Sequence, residues 1–116
     1  MPDPIGYRRW AIAEGRLHAV ANESACILNA SDDDAHVALT VYFTDREPAG
    51  PYGVTVPARR TLHLRYEDLE DPESIPVGTD YASVIESDVP VVVQYSRIDG
   101  PEHDSPVAST IAYAGD

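Results

Sequence analysis

The residue types best suited to chemistry are concentrated in the stretch Val56 to Arg65, VPARRTLHLR. In an extended conformation its side chains alternate, with Ala58, Arg60, Leu62 and Leu64 on one side and Arg59, Thr61, His63 and Arg65 on the other. Planar guanidinium donors suit a carboxylate, a phosphate or the hydroxyls of a sugar. The stretch therefore predicts a binding face for a sugar-like or anionic molecule. The alternative is that its cations neutralise nearby carboxylates in the fold.

Three further residues complete the predicted ligand-binding set. Gln94 and Arg97 lie in the segment Val89 to Ile98 and point to opposite faces of a regular strand, so at most one joins the face, and the set includes Gln94. Trp10 and Glu14 would supply an aromatic plate beside a carboxylate. The alternatives are that Trp10 belongs to the core and that the arginines pair with carboxylates such as Glu14.

Motifs for catalysis and metal binding are absent from the sequence. It contains no Gly-x-Ser-x-Gly elbow, no phosphate-binding glycine loop and no two histidines at metal-ligand spacing. The four histidines, His18, His36, His63 and His103, fall on separate segments. We expect a protein that is not an enzyme and has neither a cofactor nor a metal site.

The charge of the chain limits its partners. Twenty carboxylates face only eight arginines, with no lysine, and the formal net charge is −12. Such a charge opposes nucleic acid and anionic membranes, and it is typical of a protein adapted to high salt. The single cysteine, Cys26, lies in an apolar run and is expected to be a small buried side chain.

Short β-favouring segments separated by turn signals dominate the 116 residues. The predicted strands are 7–14, 23–30, 35–44, 54–56, 59–66, 80–86, 89–98 and 107–114. Asp45 to Gly53 is predicted to be a connection, and Ser87-Asp88 the turn of a hairpin. The pattern indicates one all-β domain, residues 1–116, folded as an antiparallel sandwich of about eight strands. No apolar run is long enough to span a membrane and no signal peptide is evident, so we expect a cytoplasmic protein.

With its segments laid out, the chain resembles the sensory rhodopsin transducer family over nearly its full length. The resemblance rests on WAIAEG, CILNA with DAHV, REPAGPY, VPARRT with HLR, DLEDP with IP, TDYASVI, VPVVVQ and STIAYA, in that order. It implies a small β-sandwich similar to carbohydrate-binding modules. It also implies a homotetramer that takes its signal from a membrane photoreceptor, a sensory rhodopsin.

Function is therefore expected in one of two classes. The first is a non-enzymatic signalling or ligand-binding protein with a small-molecule face. The second is an adaptor for the basic cytoplasmic loops of a membrane receptor, which an acidic surface suits electrostatically. A DNA-associated regulator is disfavoured by the net charge.

Overall fold

The structure, a computed structural model, describes residues 5–17, 21–99 and 107–115. Its strands are β1 (Tyr7–Ile12), β2 (Ala21–Asn29), β3 (Ala35–Phe43), β4 (Ala49–Val56), β5 (Arg60–Arg65), β6 (Tyr81–Asp99), β7 (Val107–Ile111) and β8 (Tyr113–Ala114). A single 3-10 turn, Tyr66–Asp68, follows β5 in the described chain. All strand pairs are antiparallel.

The strands form two layers that share β6. One layer has the order β4-β3-β6-β1-β8, and the other has the order β5-β2-β6-β7. The first half of β6 pairs with β3 over residues 81–87, and the second half pairs with β2 over residues 92–99. The prediction of an all-β antiparallel sandwich is confirmed.

The core lies between the two layers, and the sequence alternation explains which side chains fill it. In β3, Val37, Leu39 and Val41 are buried, while the intervening side chains face outwards. In β2, Ala25 and Ile27 are fully buried from the opposite layer. Each fully buried Val, Leu or Ile side chain stabilises the fold by about 2 kcal/mol.

The predicted hairpin at Ser87-Asp88 is wrong, because β6 runs through that point without turning. Opposite this region, β1 pairs Arg9 with Glu86 and then Tyr7 with Val91. The residues between Glu86 and Val91 therefore bulge away from β1. Pro90, which lacks a backbone N–H, falls inside this bulge, where the ladder with β1 needs no donor.

The prediction that Asp45 to Gly53 is only a connection is also wrong in its second half. The strand β4 begins at Ala49 and pairs with β3 at the edge of its layer. The register passes from Leu39↔Tyr52 to Val41↔Ala49, so Gly50 and Pro51 form an irregularity in the strand. Gly50 has a φ of 125°, which a glycine adopts without strain. Glycine and proline here mark a bulged edge strand.

The last predicted strand, Val107 to Ala114, divides between the layers. Its first part is β7, which pairs with β6, and its last part is β8, which pairs with β1. Between them the Ala112 N–H donates to the Val93 carbonyl at 3.1 Å. The predicted loop from Asp99 to Pro106 and the histidines His18 and His103 lie outside the described residues, apart from Asp99.

Candidate functional site

The predicted cationic face begins at Arg59, which the structure places in the turn before β5. Arg59 has a φ of 57°, and its N–H donates to the Ser31 carbonyl at 3.1 Å. Its guanidinium bonds Asp32 through Nε and a terminal nitrogen, each at 2.8 Å. The prediction that Arg59 lies in a strand and shares a face with His63 and Arg65 is therefore wrong. The left-handed turn redirects the side chain to a carboxylate of the β2–β3 connection.

Arg65 does lie on the outer face of β5, where it is held by neighbours. Its guanidinium donates to Glu67 at 2.9 Å and to the Asn22 side chain at 2.8 Å. Hydrogen bonding to Glu67 is the main cause that raises the pKa of Arg65. For both Arg59 and Arg65 the structure thus has the arrangement of the alternative interpretation, in which nearby carboxylates neutralise the arginines.

His63 and Gln94 share the outer face, as the alternation predicts. In the sheet His63 is opposite Cys26, and Cys26 is opposite Gln94. Gln94 donates to Ser109 Oγ at 2.6 Å. Arg97 points to the opposite side, towards Glu23. Cys26 is half-buried, and burial raises the pKa of its thiol. Binding of a sugar-like or anionic molecule at this face stays a prediction.

Trp10 occupies the core and is not an exposed plate. It is 5% exposed, and its indole N–H donates to the Tyr7 and Val91 carbonyls at 3.0 Å each. The bond to Val91 fixes β1 against β6, and the bond to Tyr7 lies within β1. This placement corrects the prediction that Trp10 and Glu14 together form a sugar-binding surface.

A buried carboxylate that the sequence did not single out lies between the layers. Glu23 of β2 is fully buried. It accepts hydrogen bonds from the Tyr81 hydroxyl and from the Arg16 backbone N–H, the latter at 3.0 and 3.3 Å to its two oxygens. Arg97 Nε lies 3.8 Å from Glu23 Oε2. These donors compensate a charge that would otherwise be costly to bury.

Residues 13–17, which we call the cover segment, close over this carboxylate. The segment is tied down by backbone bonds from Tyr81 N to Gly15 O and from Gly78 N to Leu17 O, at 2.9 and 2.8 Å. The Arg16 side chain also bonds Asp80 at 2.7 Å. Gly15 lies against the Tyr81 ring, where a Cβ atom would come within 2.3 Å of Cε1. A glycine is therefore required for the segment to approach so closely.

Three tyrosines surround Glu23, and burial raises the pKa of each hydroxyl. Tyr66 bonds Ser83 at 2.6 Å, and Tyr81 bonds Glu23. The Tyr95 hydroxyl is also buried, but it has no hydrogen-bond partner among the described residues. The cluster is thus fully paired at two of its three phenols.

Glu14, the remaining predicted residue, lies at the rim of a pocket next to this cluster. We call it the Glu14 pocket. Its walls are Glu14, Tyr95, Arg97, Ala108, Ser109 and Thr110. Glu14 is exposed, whereas Tyr95 is 4% exposed. Of the predicted set, only Glu14 borders this pocket. The buried cluster beside the pocket could have been found in the sequence through Glu23, because a carboxylate at an inward position of an apolar strand needs partners inside the fold.

Within the described ranges, no three histidine, cysteine or acidic side chains are grouped so that they could hold a metal ion. The same residues include no helix with the length and apolar character needed to cross a membrane. His36 instead forms an exposed pair with Asp88, with Nδ1 and Oδ2 2.7 Å apart.

The architecture to be compared with known proteins is an all-β sandwich whose two layers share the strand β6. The family model described as "Anabaena sensory rhodopsin transducer" matches residues 5–114. The chain belongs to this family. A search of the curated proteins gave no match.

Solved structures similar to the chain include two that match it over most of its length. The "Anabaena sensory rhodopsin transducer" is 57% identical, with a TM-score of 0.77, over 82% of this chain and 99% of its own. The "Crystal Structure of Thermotoga maritima 1070" is 32% identical, with a TM-score of 0.85, over 95% of this chain and 96% of its own. The predicted resemblance to the transducer family is confirmed.

Proposed function

We propose that this protein is a non-enzymatic, cytoplasmic signalling protein that receives its signal from a membrane photoreceptor of the sensory rhodopsin type. The observation that carries the proposal is the 57% identity to a protein named as a sensory rhodopsin transducer, over 99% of that protein. The net charge of −12 supports it, because cytoplasmic loops of membrane proteins are rich in Lys and Arg.

The connection between β5 and β6 is the surface that best suits such loops. Glu70, Asp71 and Glu73 are exposed there, and no described basic side chain pairs with them. The Tyr52 hydroxyl holds this connection by donating to the Glu73 carbonyl at 2.6 Å. The three carboxylates are thus presented on an anchored segment and remain available to a basic partner.

The test is binding to Anabaena sensory rhodopsin reconstituted in lipid nanodiscs. A Glu70→Gln/Asp71→Asn variant should bind several-fold more weakly than the wild type, and raised salt should weaken both. The control variant Asp33→Asn/Glu47→Gln removes the same charge elsewhere and should bind like the wild type. Absence of receptor binding at low salt would overturn the proposal. Binding only to other basic receptor loops would favour the broader adaptor.

We also propose that the protein is a homo-oligomer, expected to be a tetramer, that associates through the outer face of the β5–β2–β6–β7 layer. This face carries exposed apolar side chains, Leu28, Ile98 and Ile111. Its described outward side chains include no carboxylate, although the protein has twenty. Two copies can therefore approach here with little electrostatic repulsion.

Light scattering tests the association. Leu28→Arg should reduce the mass to that of smaller species, whereas Tyr42→Arg, at a similarly exposed site on the other layer, should not. A monomeric wild type at micromolar concentration would contradict this part of the proposal.

A further inference from the structure

We propose that the Glu14 pocket binds a small organic molecule that carries a protonated amine, with the ammonium group between Glu14 and the Tyr95 hydroxyl. The site is distinct from the β5–β6 connection and from the outer face of β5. If the pocket does not bind an amine, the proposal of receptor binding is unaffected, because the two surfaces are tested by separate experiments.

The first argument is the Tyr95 hydroxyl. It is buried without a hydrogen-bond partner among the described residues, while the hydroxyls of Tyr66 and Tyr81 are both paired. A buried polar atom that makes no hydrogen bond is energetically unfavourable. The residue lines an open pocket, so a ligand can supply the missing partner.

The second argument concerns which partner fits. Burial first, and then the nearby Glu23 carboxylate, raise the pKa of Tyr95, so the phenol stays protonated at neutral pH. The Glu23 carboxylate is near enough to attract the phenolic proton without forming a normal hydrogen bond, so the lone pairs of the oxygen are the part of the hydroxyl that stays unsatisfied. A ligand that donates N–H or O–H therefore complements this site better than one that only accepts.

The third argument is charge. The pocket is lined by one carboxylate, that of Glu14, and one guanidinium, that of Arg97, and the buried Glu23 carboxylate lies beside Arg97. Arg97 lies 3.8 Å from Glu23, whereas Glu14 has no ion pair with a described residue. An anion would meet this negative excess and the overall charge of −12. An ammonium group can donate to both Glu14 and Tyr95.

The pocket also has room for adjustment on binding. One wall consists of the short side chains of Ala108, Ser109 and Thr110, and the rim consists of the long side chains of Glu14 and Arg97. Because rotamer changes at a binding site are common, the exposed Glu14 side chain can move aside and admit a donor to the hydroxyl.

The experiment is an NMR titration with putrescine, using 1,4-butanediol as the uncharged isostere and inorganic phosphate as the anion. Putrescine should shift the amides of Glu14, Arg97 and Thr110 saturably. The diol should bind at least about tenfold more weakly, and phosphate should leave the spectrum unchanged. Glu14→Gln and Tyr95→Phe should each weaken putrescine binding. Glu86→Gln removes the same charge on the opposite layer and should have no effect.

Three outcomes would overturn the proposal: no saturable shift with putrescine, equal binding of the diol, or an equal effect of Glu86→Gln and Glu14→Gln. Tyr95→Phe should fold like the wild type, because it removes no hydrogen bond that the described residues make, so weaker binding by this variant would reflect the lost hydroxyl. The thermal stability of each variant is measured in parallel.

Discussion

At the scale of single residues, the fold depends on a close contact that only glycine permits. A Cβ atom at Gly15 would lie 2.3 Å from the Tyr81 ring, in the segment that covers Glu23. Gly15→Ala should therefore lower the free energy of unfolding by about 1–3 kcal/mol. The control is Gly53→Ala in β4, where no heavy atom lies within 4 Å. Urea unfolding of both variants checks the prediction, and equal midpoints would contradict it.

The tyrosine hydroxyls around Glu23 should differ in their contribution to stability. Tyr66→Phe removes a 2.6 Å bond and leaves the buried Ser83 hydroxyl unpaired, so it should cost about 1–3 kcal/mol. Tyr95→Phe removes a hydroxyl with no partner among the described residues and should be neutral or slightly stabilising. Thermal unfolding of the two variants gives the comparison. A larger loss for Tyr95→Phe would mean that its hydroxyl is already paired in solution.

At the scale of elements, His36 ties the beginning of β3 to the bulge in β6. The backbone N–H of His36 donates to Asp88 Oδ1 at 2.8 Å, and the ring nitrogen Nδ1 lies 2.7 Å from Asp88 Oδ2. The hydrogen bond to Asp88 raises the pKa of His36, and the bonds from His36 lower the pKa of Asp88.

The sign of the pH dependence follows from these two shifts. The His36 contribution is complete below its unfolded pKa and is lost as the pH rises through its folded pKa. The Asp88 contribution is present above its unfolded pKa and is lost as the pH falls through its folded pKa. The pair should therefore stabilise the fold most at mildly acidic pH, above the unfolded pKa of Asp88 and below the unfolded pKa of His36. In an NMR titration, Asp88→Asn should lower the pKa of His36, and an unchanged midpoint would refute the coupling.

Much of this element structure could be predicted from the sequence. The alternation of β3 and the turn signals gave the strands and the sandwich. The bulges could not be predicted in the same way, because Ser-Asp and Gly-Pro pairs are typical of turns as well. In the structure, Asp88 and Ser87 satisfy nearby N–H groups of His36 and Val89 with their side chains, so the strand continues.

The candidate site was harder to predict than the fold. Arg59, His63 and Arg65 follow one another at the right spacing, but a left-handed turn at Arg59 breaks the face. The Glu14 pocket joins residues that are far apart in sequence, namely Glu14, Tyr95 and Arg97. Local patterns contain no information on which distant strands will be neighbours, so only the topology brings these groups together.

At the scale of the whole molecule, charge dominates the response to solvent. With −12 net charges on 116 residues, self-repulsion destabilises the compact state, and salt reduces it. The melting temperature should therefore rise between low salt and about 1 M NaCl, where the screening length falls to about 3 Å. Differential scanning calorimetry checks this expectation. A melting temperature that stays constant across this range would argue against adaptation to high salt.

In the shared strand β6, the odd-numbered residues face the core in both layers, so the number of residues in its central bulge fixes which side chains point inwards. Tyr81, Ser83 and Ile85 face the core in its first half, and Val91, Val93 and Tyr95 do so in its second half, all at odd positions. Deleting one residue between 87 and 90 would turn Gln94 inwards and Val93 outwards while the first half kept its orientation. Deleting two residues would restore the parity. Length variation within this bulge should therefore be tolerated in steps of two.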